Sequence, residues 1–118
     1  MSYDVEQFRD AHRQNPDIMR EIMRLYREEA PQRLETVRRG LAGSDFDAIA
    51  GAAHSLANTS GTLQCPEAVS AAHALEEAAR RGDAEACRGE FDRLEPLVSE
   101  VVERLGEALA GEDKEPTG

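Results

Sequence analysis

Tryptophan is absent from this chain, and aromatic residues of every kind make up only 4% of its 118 residues. A core so poor in rings must be filled by Leu, Val, Ile, Met and Ala, the filling of a small helical bundle. Cysteine is nearly absent as well. Cys65 and Cys87 are the only two, with no C-x-x-C pair and no histidine at metal-ligand spacing, so neither a zinc site nor a redox pair is indicated. Basic residues are outnumbered: Lys and Arg total 14 against 24 Asp and Glu, a formal net charge of -10. That excludes the basic footprint that nucleic acids and anionic membranes require. No run approaches the ~20 apolar residues of a membrane-spanning helix. The start, Met1 to Glu6, is polar and acidic, unlike a signal peptide, and a cytoplasmic protein is expected. Strand-like alternation and internal repeats are also missing, and the length fits one domain.

What is present is helical punctuation. Asn15-Pro16 reads as an N-cap followed by proline at the first helical position. Gly40 to Gly43 ends that helix, and Ser44-Asp45-Phe46-Asp47 reads as a capping box opening the next. Cys65-Pro66 starts a third helix, Arg80-Arg81-Gly82 ends it, and Asp83 caps a fourth. Apolar residues recur at steps of three and four along each. The stripes are Met19, Met23, Tyr26, Ala30, Leu34, Val37 and Leu41; then Phe46, Ile49, Ala53, Leu56, Ser60 and Leu63; then Ala68, Ala72, Leu75 and Ala79; then Cys87, Phe91, Leu94, Val98, Val101, Leu105 and Leu109. On the last stripe Cys87 is read as a small buried apolar residue.

The fold expected is all-α: an antiparallel up-down four-helix bundle with a short N-terminal capping helix, a single domain over residues 1–110 and a disordered polar tail over 111–118. Ile18, Ile22 and Leu25 form a second apolar face on the first long helix, and Val5 and Phe8 are expected to cover it. With no large apolar patch left over, a monomer is expected. Pro31, which lacks the N–H that would bond the carbonyl of Arg27, should kink that helix, and Pro96 should bend the last one modestly.

The helix opened by Phe46 carries the informative residues. At ~100° per residue, His54 lies about 130° from the centre of the apolar stripe and points to solvent. Around it stand Asp47, Ala50, Gly51, Ala57, Asn58 and Gly61, all small or short. Two are glycines within the helix, each costing about 1 kcal/mol relative to Ala. The face reads as a stripped surface on which another protein can approach the imidazole; the plainer reading is a surface histidine in an alanine-rich helix. His12 and His73 are read as exposed residues without such a face, and the abundant Glu and Asp as solvated helix surface.

The run Ala53-His54-Ser55-Leu56-Ala57-Asn58-Thr59-Ser60-Gly61-Thr62-Leu63 resembles the A-H-x-L-K-G-x-x-G-x-L signature of histidine phosphotransfer domains. Leu75-Glu76 followed by Ala79-Arg80-Arg81-Gly82-Asp83 is similar to that family's L-E-x-x-x-R-x-G-D segment. Glu28 to Pro31 and Leu41 to Phe46 resemble its first long helix and the turn after it.

The resemblance implies a four-helix bundle whose exposed histidine is transiently phosphorylated, with His54 as the phospho-acceptor. It implies a carrier rather than an enzyme, exchanging phosphate with a response-regulator receiver domain or a hybrid histidine kinase. Such a carrier needs no cofactor of its own, because the receiver supplies the Mg²⁺. An imidazole, whose ordinary pKa is about 6.5, is a nucleophile at neutral pH without further activation. The sequence departs from the family pattern at three places: Ala57 stands for its Lys, Asn58 for its Gly, and Gln64 for a further Gly ten residues after the histidine. The first removes a positive charge, while the Asn58 amide can donate to phosphate. Ala57 is read as lying on the His54 side of the stripe, where a lysine would reach the phosphoryl group and raise uptake. Asp47, Ala50, Gly51, Ala57, Asn58, Gly61 and Gln64 form the expected partner-docking face. The alternative is a degenerate module that binds a kinase or receiver without accepting phosphate. A kinase dimerisation bundle fits less well, since Thr59 and Ser60 stand where that family has a proline.

Overall fold

A computed structural model of the chain describes residues 3–113, and among them there are five helices and no strand. These are α1 (Val5–Ala11), α2 (Pro16–Gly43), α3 (Phe46–Thr62), α4 (Pro66–Arg80) and α5 (Ala84–Asp113). α3 packs on α2 and on α4, and α5 packs on both of those as well. The four long helices therefore close a ring around one core. Its fully buried members include Met23 and Val37 of α2, Ile49 and Leu56 of α3, Leu75 of α4, and Leu94, Val98 and Leu105 of α5. Every one lies on a stripe read from the sequence, and each such side chain contributes about 1.5–3 kcal/mol by leaving water. Cys87 is buried with them.

The helix ends follow from backbone hydrogen bonding. At the end of α3, Cys65 N–H donates to the Ser60 carbonyl and Gln64 N–H to the Gly61 carbonyl, both at 3.0 Å. The end of α4 repeats the pattern: Asp83 N–H donates to Ala78 and Gly82 N–H to Ala79, again at 3.0 Å. This closure needs a left-handed residue after the helix. Gly82 takes that position at φ 69°, but Gln64 takes it at φ 60° and Ser44, after α2, at φ 55°. Ser44 therefore ends α2 rather than opening a capping box. The cap of α3 is Asp45, whose side chain accepts from Ala48 N–H at 3.1 Å. Asn15 stands at the N-cap of α2 without a side-chain bond. Asp83 accepts from Ala86 N–H at 3.0 Å, as its place in the sequence suggests.

Two expectations are corrected here. α1 packs on α5, with Phe8 wholly buried. The Tyr3 hydroxyl donates to the Leu63 carbonyl at the end of α3, 2.7 Å away. Val5 and Phe8 thus do not cover the second face of α2: Ile18 is 55% and Leu25 45% exposed. The expectation of a monomer loses that support. The helical part of the chain also runs further than expected, since α5 takes in Gly111 to Asp113; the rest of the expected tail, from Lys114 onward, lies outside the described residues. Pro31 and Pro96 both lie within unbroken helices, on their exposed sides.

Candidate functional site

His54 stands on the outer arc of α3 with 57% of its side chain exposed. Asp47, Gly51, Asn58 and Gly61 share that arc and are exposed. Asp47 is the only Asp, Glu, Lys or Arg in α3. Gln64 is half-buried in the turn that follows.

Ala50 and Ala57 do not belong to this surface; they are 4% and 3% exposed. The reason is that α3 has two neighbours, so its buried arc is wider than one stripe. A Cβ on Gly61 would lie 3.7 Å from Val69 Cγ2, so α4 covers that flank, and Ala50 and Ala57 fall on the same side at ~100° per residue. A lysine at Ala57 would start inside this contact and add volume there before its stem could reach water.

Across the α3–α4 contact stands the residue that sequence reasoning missed. Glu76 is not on the solvated surface: its side chain is 13% exposed, and its two carboxylate oxygens lie 3.3 and 3.2 Å from Nδ1 of His54. A carboxylate can only accept, so Nδ1 carries the proton and donates it. The lone pair is thereby placed on Nε2, which makes no bond to any described residue. Arg80, one turn on, donates through Nε at 3.2 Å and Nη2 at 2.7 Å to the second oxygen of Glu76. Those bonds hold the Glu76 carboxyl below its ordinary pKa; the bond from His54 acts in the same direction, and partial burial opposes both. Glu76 therefore stays a carboxylate at neutral pH. The signal for it lay in the Leu75-Glu76 segment, which pointed to the family but not to this contact.

His73 also approaches Glu76, with Nδ1 3.9 Å from one oxygen, too far for a hydrogen bond. His12 has a structural task instead. Its Nδ1–H donates to the Phe8 carbonyl at 3.1 Å, and its ring lies 4.5 Å from that of Phe8. Among the described residues no group of three or more His, Cys, Asp or Glu is placed to hold a metal ion. No helix among them is long and apolar enough to cross a membrane.

Beside the His54 arc, on the side away from α4, a cavity of about 150 Å³ opens between α2 and α3. Ile22, Leu25, Tyr26, Ala30 and Leu63 give it apolar walls; Ser55 and Arg33 are among its polar lining. The hydroxyl of Tyr26, one of its lining residues, is 3.0 Å from Ser60 Oγ, and both residues are buried. That pairing satisfies a serine that would otherwise be an uncompensated polar group in the core.

No curated protein matches the chain. Among solved structures, the crystal structure of histidine-containing phosphotransfer protein B from Pseudomonas aeruginosa PAO1 superposes with a TM-score of 0.80 at 19% identity, covering 90% of this chain and 92% of that one. At that identity the likeness is one of fold. The sequence itself matches the family model described as Hpt domain over residues 21–108, nearly the whole of the four-helix ring. The chain belongs to the Hpt, or histidine-phosphotransfer, domain family.

Proposed function

We propose that the protein is a phosphoryl carrier of a two-component phosphorelay, working as an antiparallel up-down bundle in the cytoplasm. Nε2 of His54 would exchange phosphate with the aspartate of a receiver domain, free or within a hybrid kinase. The observation that carries this reading is the Glu76–His54 contact. An exposed imidazole would ordinarily sample both tautomers; here the carboxylate fixes the proton on Nδ1 and turns the nucleophilic nitrogen outward. As Nε2 attacks the phosphorus of an aspartyl phosphate, the P–N bond forms and the P–O bond to the aspartate breaks. The ring gains positive charge, and the carboxylate across from Nδ1 stabilises it. The protein contributes a positioned nucleophile; the divalent cation comes with the receiver.

The docking surface is read as the exposed arc of Asp47, Gly51, Asn58 and Gly61, continued by the α2–α3 cavity and the uncovered Ile18 and Leu25. The absence of Lys or Arg on α3 favours a second reading, in which the module binds a kinase or receiver without being phosphorylated. The test is incubation with a phosphorylated receiver and assay for acid-labile, base-stable phosphate. Labelling of the wild type that is lost in His54→Gln with helical content intact supports the carrier. Labelling that persists in the variant, or moves with His73, refutes the assignment.

A further inference from the structure

Asn58 is one turn beyond His54 and about 40° round the helix from it. It is exposed, and its carboxamide makes no hydrogen bond to the described residues. Gly51 lies on the same flank, and a Cβ built there meets nothing within 4 Å. The imidazole is drawn the other way, towards α4, by its bond to Glu76. Between the histidine and the flank of Gly51 and Asn58 the surface is therefore open; the amide of Asn58 borders the opening one turn beyond His54, and the carboxylate of Asp47 lies further off, about two turns before it. A carboxamide does what a glycine or a lysine at this place could not: its Oδ1 accepts a hydrogen bond from a water while Nδ2–H donates to a phosphoryl oxygen. Amides act this way in phosphoryl transfer by orienting the attacking water.

We propose that the protein also directs hydrolysis of a docked receiver's aspartyl phosphate, with Asn58 positioning the water. The proposal rests on the carrier reading for the identity of the partner. Water and His54 Nε2 compete for one approach, opposite the P–O bond to the aspartate. When water takes it, its oxygen bonds to phosphorus and the P–O bond breaks with its electron pair on the aspartate carboxylate. The products are free aspartate, hydrogen phosphate and one proton, released to solvent. Carrier and phosphate sink are then two outcomes of a single docked complex.

The experiment uses a receiver domain charged with ³²P-acetyl phosphate, freed of excess reagent and mixed with the full-length protein in Mg²⁺. Transfer to wild type is read first as label on His54, which tests the carrier reading by itself. Hydrolysis is read in His54→Ala, where no transfer route exists, as inorganic phosphate released at saturating protein, so that weaker docking is separated from a slower step. Release is expected to run about five-fold faster than from the receiver alone, one neutral hydrogen bond's worth. It should return to the receiver's own rate in His54→Ala/Asn58→Ala, and recover in part with Asn58→Gln. Wild-type labelling of His54 without faster release in His54→Ala overturns the proposal and leaves the carrier standing. Faster release that survives Asn58→Ala overturns it too, by assigning the water to another group. Release that depends on Asn58 while His54 stays unlabelled supports the hydrolysis and refutes the carrier.

Discussion

Replacing Glu76 separates its charge from its hydrogen bond. In the wild type, Nδ1 of His54 donates to a carboxylate at 3.2–3.3 Å, and a hydrogen bond to a charged group is worth about 1.5–3 kcal/mol. His54 is 57% exposed, so the lower end applies. The bond strengthens as the ring becomes cationic during attack, so its loss falls on the rate rather than on docking. Glu76→Ala should slow labelling of His54 by about ten-fold, the equivalent of ~1.5 kcal/mol. Glu76→Gln keeps an acceptor in place, loses about 0.5–1 kcal/mol, and should slow it about two- to five-fold. The partner left behind, Arg80, is 63% exposed, so neither change should cost more than about 1 kcal/mol of stability. The assay is the single-turnover rate of His54 labelling at saturating phosphorylated receiver, with urea denaturation as the control. Wild-type rates in Glu76→Ala would refute the tautomer argument. Equal rates in the Ala and Gln variants would show that the neutral acceptor does nothing and that charge alone matters.

Three further expectations concern the scaffold. Gln64→Gly relieves a left-handed φ of 60°; after the added freedom of the unfolded chain it should stabilise by about 0.5–1 kcal/mol, seen as a Tm higher by a few degrees. Gly40→Ala should destabilise by about 1–3 kcal/mol in urea titrations, because the new Cβ would fall 2.6 Å from Ile49 Cγ1 and 3.1 Å from the Asp45 carbonyl. Burial holds the Tyr26 hydroxyl neutral, its pKa pushed up to about 12. Its contribution is therefore complete below pH 10, the unfolded value, and falls away between pH 10 and 12, by on the order of 2 kcal/mol, because the unfolded tyrosine ionises first. Tyr26→Phe should flatten the alkaline limb of the stability curve; an unchanged limb would assign it to other groups.

The sequence carried most of this architecture because helix periodicity is local. Each stripe is set by side-chain spacing within one element, and all four face the core, with only Leu41 and Phe46 half-buried at its edge. The errors arose where the answer depends on a second element. Spacing places Ala57 beside His54 but cannot show that α4 lies over that flank. Glu76 sits on α4 among residues that read as solvated, and only the α3–α4 contact aims it at an imidazole 22 positions earlier. Likewise Phe8 had two apolar surfaces to choose from, and nothing in its own helix selects α5 over α2. Ser44 and Asp45 are both good caps; which one caps was decided by the left-handed turn that closes α2.

α3 is a poor helix by composition. Gly51 and Gly61 lie within it, and Thr59, Ser60 and Thr62 crowd its last turn, where hydroxyls compete for backbone partners: Thr59 Oγ1 donates to the Ser55 carbonyl at 3.0 Å and Thr62 Oγ1 to the Asn58 carbonyl at 3.2 Å. Cut out as a peptide, these 17 residues would be largely unwound in water. The helical form of the surface around His54 is thus borrowed from α2 and α4, which pack on its wide buried arc. Stability and reactivity are coupled through that loan: a cavity opened in α4 beneath Leu75 would loosen the helix that presents the imidazole, with no reacting group touched.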